Sequence, residues 1–87
     1  MKIKYKEELE SCWYRTYYIY ISTVNDNYRF MGWICKYNKT DRKFEVFSSE
    51  LGITKHNDCF KSLRAAKKFV KNRAQLHFEG IVNDENI

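Results

Sequence analysis

Residues 13–21, Trp13-Tyr14-Arg15-Thr16-Tyr17-Tyr18-Ile19-Tyr20-Ile21, are almost without a polar break. Alternate side chains of a strand point to opposite sides. One side of this segment therefore carries Trp13, Tyr17, Ile19 and Ile21, and the other carries Tyr14, Tyr18 and Tyr20. The pattern predicts a strand over residues 13–23 that is apolar or aromatic on both faces. The following Val24-Asn25-Asp26-Asn27 has turn chemistry, because Asn and Asp tolerate left-handed backbone and bond their own main chain. A second strand is expected over residues 28–37, through Phe30, Trp33 and Ile34, then a turn over 38–41 and a shorter third strand over 43–48.

Residues 49–59 form a polar connection containing Gly52, long enough to cross from the sheet edge over one face. The period then changes from two to 3.6. Leu63, Ala66, Phe69, Val70, Ala74 and Leu76 recur at helical spacing as a buried stripe, with Arg64, Lys67, Lys68, Lys71 and Gln75 opposite. Ser62 is a good N-cap and Gly80 a good C-terminal stop. Ile81 and Val82 are expected to tuck against the last turn, and residues 83–87 to fray.

Three consecutive strands joined by short turns favour an antiparallel meander. The expectation is an α+β fold: a three-stranded antiparallel meander with one C-terminal amphipathic helix packed on one face. The charged opening, residues 1–11, reads either as a helical turn or as a strand that would make the sheet four-stranded. One helix covers only one face, so the tyrosines of the other face are left to water, a nucleic acid or a protein.

At 87 residues the chain is expected to be one small domain, residues 1–87, with an ordered core over about 12–80. Its 44% hydrophobic content places it among globular chains, not disordered ones. No apolar run approaches the ~20 residues that cross a bilayer, and Met1 to Lys6 lack the apolar stretch of a secretion signal. The expected setting is cytoplasmic, in a bacterial or host cytosol, with no membrane contact. Cys12, Cys35 and Cys59 are odd in number and widely spaced, which suits reduced, mostly buried thiols better than disulfides.

The formal charge of +5 is unevenly spread. Residues 27–43 hold Arg29, Lys36, Lys39, Arg42 and Lys43 against Asp41 alone, and residues 59–78 hold six bases and no acid. Such segregation makes a basic patch suited to a polyanionic partner. Arg64, Lys67, Lys68 and Lys71 would form one cationic ridge able to bind phosphates by counterion release. Tyr14, Tyr18 and Tyr20, with either Trp33 or Tyr28 and Phe30, could stack bases, while Arg15, Arg29 and Lys36 supply phosphate contacts.

Catalytic chemistry is poorly marked. Cys59 lies near the helix start with His56 three residues before it, yet no third group is set to orient a pair. The cysteines and histidines lack the close paired spacing of a zinc site, and Gly32, Gly52 and Gly80 are too isolated for a phosphate loop. No enzyme activity, cofactor, metal or small-molecule substrate is expected.

The order strand-strand-strand-helix over residues 13–78 resembles small DNA-binding modules of the integrase arm-binding type, whose three-stranded sheet enters the major groove. Their glycine- and arginine-rich strand motifs are missing here, so no base-reading residue is transferred. The compact, tyrosine-rich, proline-free chain also looks like small accessory proteins of bacteriophages and mobile elements, including inhibitors of host defence. The leading expectation is a non-catalytic module that contacts nucleic acid or a nucleoprotein complex through its basic helix and aromatic sheet face. The alternative is a protein–protein interaction module whose tyrosine face docks on a target protein or a second copy of the chain.

Overall fold

A computed structural model describes residues 1–11, 14–36, 43–53 and 59–81. The turn expected at 38–41, the connection over 54–58 and residues 82–87 lie outside the described residues, as do Cys12, Trp13 and His56. Five strands and one helix follow in chain order: β1 (Lys2–Ser11), β2 (Tyr14–Ser22), β3 (Arg29–Lys36), β4 (Phe44–Phe47), β5 (Cys59–Phe60) and α1 (Leu63–Glu79). All strand pairs are antiparallel, and their spatial order is the chain order. The expected meander is present and extended at both ends.

The charged opening is a full strand. Its alternation Lys2-Ile3-Lys4-Tyr5-Lys6 is the half-buried strand pattern, and Ile3 and Tyr5 pair with Ile21 and Ile19 and pack on the core. Pairs Glu8↔Thr16 and Ser11↔Tyr14 leave Leu9 and Glu10 together opposite Arg15, a bulge in the edge strand. The β2–β3 turn has left-handed φ at Asn25 (51°) and Asp26 (57°), closed by a 3.1 Å bond from the Asn27 N–H to the Val24 carbonyl. Two successive positive φ angles match the right-handed twist of the strands that the turn joins.

A second bulge sits in β3. Ile19 pairs with Gly32 and Tyr20 with Phe30, so Met31 is the extra residue. Gly32 has φ 144°, and a Cβ built on it would lie 2.1 Å from the Phe47 carbonyl oxygen of β4. Only glycine fits there.

The connection after β4 departs from the expected crossing. Ser48 and Ile53 form an antiparallel bridge around a tight turn, and the buried Ser48 hydroxyl accepts the Leu51 N–H at 3.2 Å. Leu51 and Ile53 are thereby folded into the core instead of running over it. Residues 59–60 then return to pair with β4 as a short fifth strand.

The helix starts and stops where its caps predict. Ser62 Oγ accepts the Ala65 N–H at 3.1 Å, and left-handed Gly80 (φ 67°) donates to the Leu76 carbonyl at 3.2 Å. Ala66, Val70 and Ala74 are fully buried against Tyr17, Ile19, Ile21, Met31, Ile34 and Val46. Leu63 and Phe69 are partly buried at the margin. Leu76 is a correction, because it is 49% exposed. It lies six residues beyond Val70, about a third of a turn off the buried stripe. Arg73, on the same flank and nearer the stripe, reaches from the helix to the carbonyls of Leu51 (3.2 Å) and Gly52 (2.9 Å).

Candidate functional site

The register sorts the predicted binding residues onto two opposed faces. The molecule measures 37 × 31 × 19 Å, and the helix lies on one side of the sheet. A ligand lying on the helix-bearing side does not reach the other face. Arg64, Lys68 and Lys71 are exposed on α1. Lys67 is a second correction to the helix phase, because it does not point outward. Its ammonium lies over the sheet, 4.6 Å from the Tyr5 ring centroid and 5.9 Å from that of Tyr17. Its position beside the buried stripe, one residue after Ala66, brings it there.

Arg15 and Lys36 join this side, not the tyrosine side. Arg15 shares the parity of Tyr17, Ile19 and Ile21, whose side chains are buried under the helix, and it pairs with Lys36 across β2–β3. A hydrogen bond to Tyr17, Coulombic attraction to that phenol and then the charge of Glu7 hold the Arg15 guanidinium above its ordinary value. Glu7 itself stands 3.4 Å from it. Lys36 lies 5.6 Å from the Phe44 ring. Tyr17 therefore touches both Lys67 and Arg15, and the helix cations continue onto the sheet through it. Burial pushes the neighbouring Tyr5 phenol up to about 12.

Arg29 does not belong to this group. It is paired with Glu50 in the turn after β4, where His77 also approaches to 3.8 Å. The expected trio Arg15, Arg29 and Lys36 is split, and none of the three accompanies the tyrosines.

The other face of the sheet carries Tyr18, Tyr20, Phe30, Trp33 and Phe47. Tyr18–Phe30 centroids are 6.0 Å apart, Tyr20–Phe30 5.8 Å, Phe30–Trp33 6.4 Å and Trp33–Phe47 4.7 Å. Strict alternation would place residues 30 and 33 on opposite faces, but the bulge at Met31 puts both on this one. The Phe30–Trp33 combination was missed in the sequence for that reason; Phe47 joins through its pairing with Trp33 across β3–β4, a contact with no local signal in the sequence. Tyr14 begins β2 opposite Ser11, and its side chain lies outside the described residues.

The ring pairs differ in geometry. Trp33 and Phe47 are cross-strand partners with planes 26° apart, and their 4.7 Å separation equals the spacing between neighbouring strands. That stack thus runs across the strands with the two ring faces turned toward one another, whereas Tyr18 meets Phe30 tilted at 50° and Tyr20 meets it edge to face at 63°. A base-stacking platform needs ring faces turned to the ligand. Phe30 is 51% exposed at the centre of this cluster. The bordering lysines of β1 are largely engaged: Lys2 with Asp26 at 2.7 Å, Lys6 with Glu8 at 3.4 Å, and Lys4 over the Tyr28 ring at 4.3 Å.

The candidate catalytic groups are scattered. Cys59 is exposed on β5, its thiol 3.8 Å from a Glu45 carboxylate oxygen. His77 is near the far end of α1, about 20 Å along the helix axis from its start. Cys35 is buried. Among the described residues no group of three or more His, Cys, Asp and Glu side chains is placed to hold a metal ion. No helix is long and apolar enough to cross a membrane. Comparison of the chain with protein-family models, curated proteins and solved structures returns no match.

Proposed function

We propose that this chain is a non-catalytic module that binds nucleic acid by phosphate contacts on its helix-bearing side. The observation that carries the reading is the continuity of charge from Arg64, Lys67, Lys68 and Lys71 on α1, through Tyr17, to Arg15 and Lys36 on the sheet. Residues three and four apart on a helix are surface neighbours, so Arg64, Lys68 and Lys71 make one ridge, with Lys67 beside it over the sheet. Glu7 stands 3.4 Å from Arg15 at the sheet end of this surface. Lysine and arginine contacts to phosphate position a duplex without reading bases. The binding is accordingly indifferent to sequence and steep in salt.

If all six cations meet phosphates, log K falls against log salt with a slope of about −5 on duplex DNA. The test is fluorescence anisotropy of labelled duplex and single strands over a salt series. The variant Arg64→Glu/Lys68→Glu/Lys71→Glu leaves Lys67 on its tyrosines and the core untouched. It is expected to lose binding and keep the wild-type circular dichroism spectrum. Equal affinity of variant and wild type at low salt refutes the reading.

A second reading is favoured by the ring cluster around half-exposed Phe30. Rings already engaged with one another in mixed stacked and edge-to-face contacts suit packing against an apolar protein surface, as aromatic residues do at interfaces. Contact there would be nearly insensitive to salt and would be lost in Phe30→Ser.

A further inference from the structure

We propose that two copies of the chain associate edge to edge through β1, joining their sheets across a two-fold axis perpendicular to the sheet. Among the described residues no strand lies beyond β1, whereas the opposite edge strand, β5, has two residues. A ten-residue edge is a template for another strand. What makes a second copy the fitting partner is the order of charge along it. Lys2, Lys4 and Lys6 occupy its first half, and Glu7, Glu8 and Glu10 its second. A parallel in-register copy sets lysine on lysine. An antiparallel copy sets the lysine half against the glutamate half.

Opposite residues of an antiparallel pair share a face, which restricts the register. With Lys6 on the two-fold axis, Lys4 faces Glu8 of the second copy twice on the ring-bearing face. On the helix-bearing face Ile3 meets Leu9, also twice. Leu9 is 69% exposed in the single chain and the most exposed large hydrophobic among the described residues; this register gives it an apolar partner. The two Lys6 ammonium groups approach each other at the axis, each 3.4 Å from its own Glu8. The strand is regular from Lys2 to Glu8, so the two Lys4–Glu8 pairs lie in its regular part and offset the like-charged Lys6 pair at the axis, while Leu9 lies at the start of the bulge.

The symmetry has a consequence for the surface. A two-fold axis perpendicular to the sheet keeps both helices on one side of the joined sheet and both ring clusters on the other. The two basic ridges then face the same way. The proposal does not rest on nucleic-acid binding, and it is tested with no nucleic acid present.

Sedimentation velocity from micromolar to near-millimolar protein is expected to show a monomer–dimer equilibrium. Lys4→Glu alone and Glu8→Lys alone each replace two attractive cross-strand pairs with two repulsive ones, and dimerisation is expected to weaken about tenfold or more. The two variants mixed in equal amounts restore opposite charges at both positions, so the mixture is expected to dimerise as the wild type does. Circular dichroism of each variant checks that the fold is retained. Three results overturn the proposal: a wild type monomeric throughout, as expected if the lysines only keep the edge solitary; single variants that dimerise as well as the wild type; or a mixture of folded variants that stays monomeric.

Discussion

Gly32→Ala tests the bulge that builds the ring-bearing face. The added methyl carbon would lie 2.1 Å from the Phe47 carbonyl oxygen and 3.0 Å from the Ser48 Cα, both main-chain atoms. No side-chain rotation relieves such a contact, so β3 and β4 must separate along the pairs Trp33↔Phe47 and Ile34↔Val46. The φ of 144° adds strain of about 1–3 kcal/mol for any residue with a Cβ. Together these give a loss of about 4 kcal/mol or more, a large part of the whole stability of a domain this size. Gly80→Ala is the matched control. Its φ is 67° and nothing lies within 4 Å of the built Cβ, so only the left-handed strain of about 1–2 kcal/mol applies. Urea unfolding followed by tryptophan fluorescence measures both. A Gly32→Ala loss within about 1 kcal/mol of the Gly80→Ala loss would refute the account of the bulge.

Phe69→Ala removes a ring that is partly buried and tilted against Phe60 at 5.0 Å; a loss of about 2 kcal/mol is expected, below the ~3–5 of a fully buried ring. Denaturant midpoints check it, and a loss above 4 kcal/mol would place the ring in the core. The Tyr5 phenol, raised by burial from 10.0 to about 12, favours its neutral form in the folded chain. Its contribution to stability is therefore complete below pH 10 and is lost as the pH rises towards 12. A spectrophotometric titration of the native protein should show a late-ionising tyrosine that disappears in Tyr5→Phe; an unchanged late component would contradict the assignment.

The fold was readable where one local signal had no competitor. Ser62 and Gly80 mark the helix ends, Asn25 and Asp26 mark the turn, and the aromatic run marks β2 because each signal acts over a few residues. β1 was ambiguous because Glu7, Glu8 and Glu10 interrupt the alternation that Lys2 to Lys6 establish. Its pairing with β2 decides the matter, and that is a contact between distant parts of the chain. The short β5 carries no period of its own and exists through its two pairs with β4.

The candidate site was harder to read because side assignment depends on parity, and a bulge changes parity without altering composition. Counting by twos forces a choice between Trp33 and the pair Tyr28 and Phe30. The extra residue at Met31 removes that choice and gathers Phe30 and Trp33 with Tyr18 and Tyr20. Parity does hold from Arg15 to Ile21, and applied strictly it already places Arg15 with the buried side chains of β2, beneath the helix. Lys67 needs a further step, since its angle on the helix is marginal and the rings of Tyr5 and Tyr17 draw its ammonium onto the sheet. That contact carries the basic surface from the helix to Arg15 and Lys36, so cations separated by more than thirty positions in sequence come to share one side.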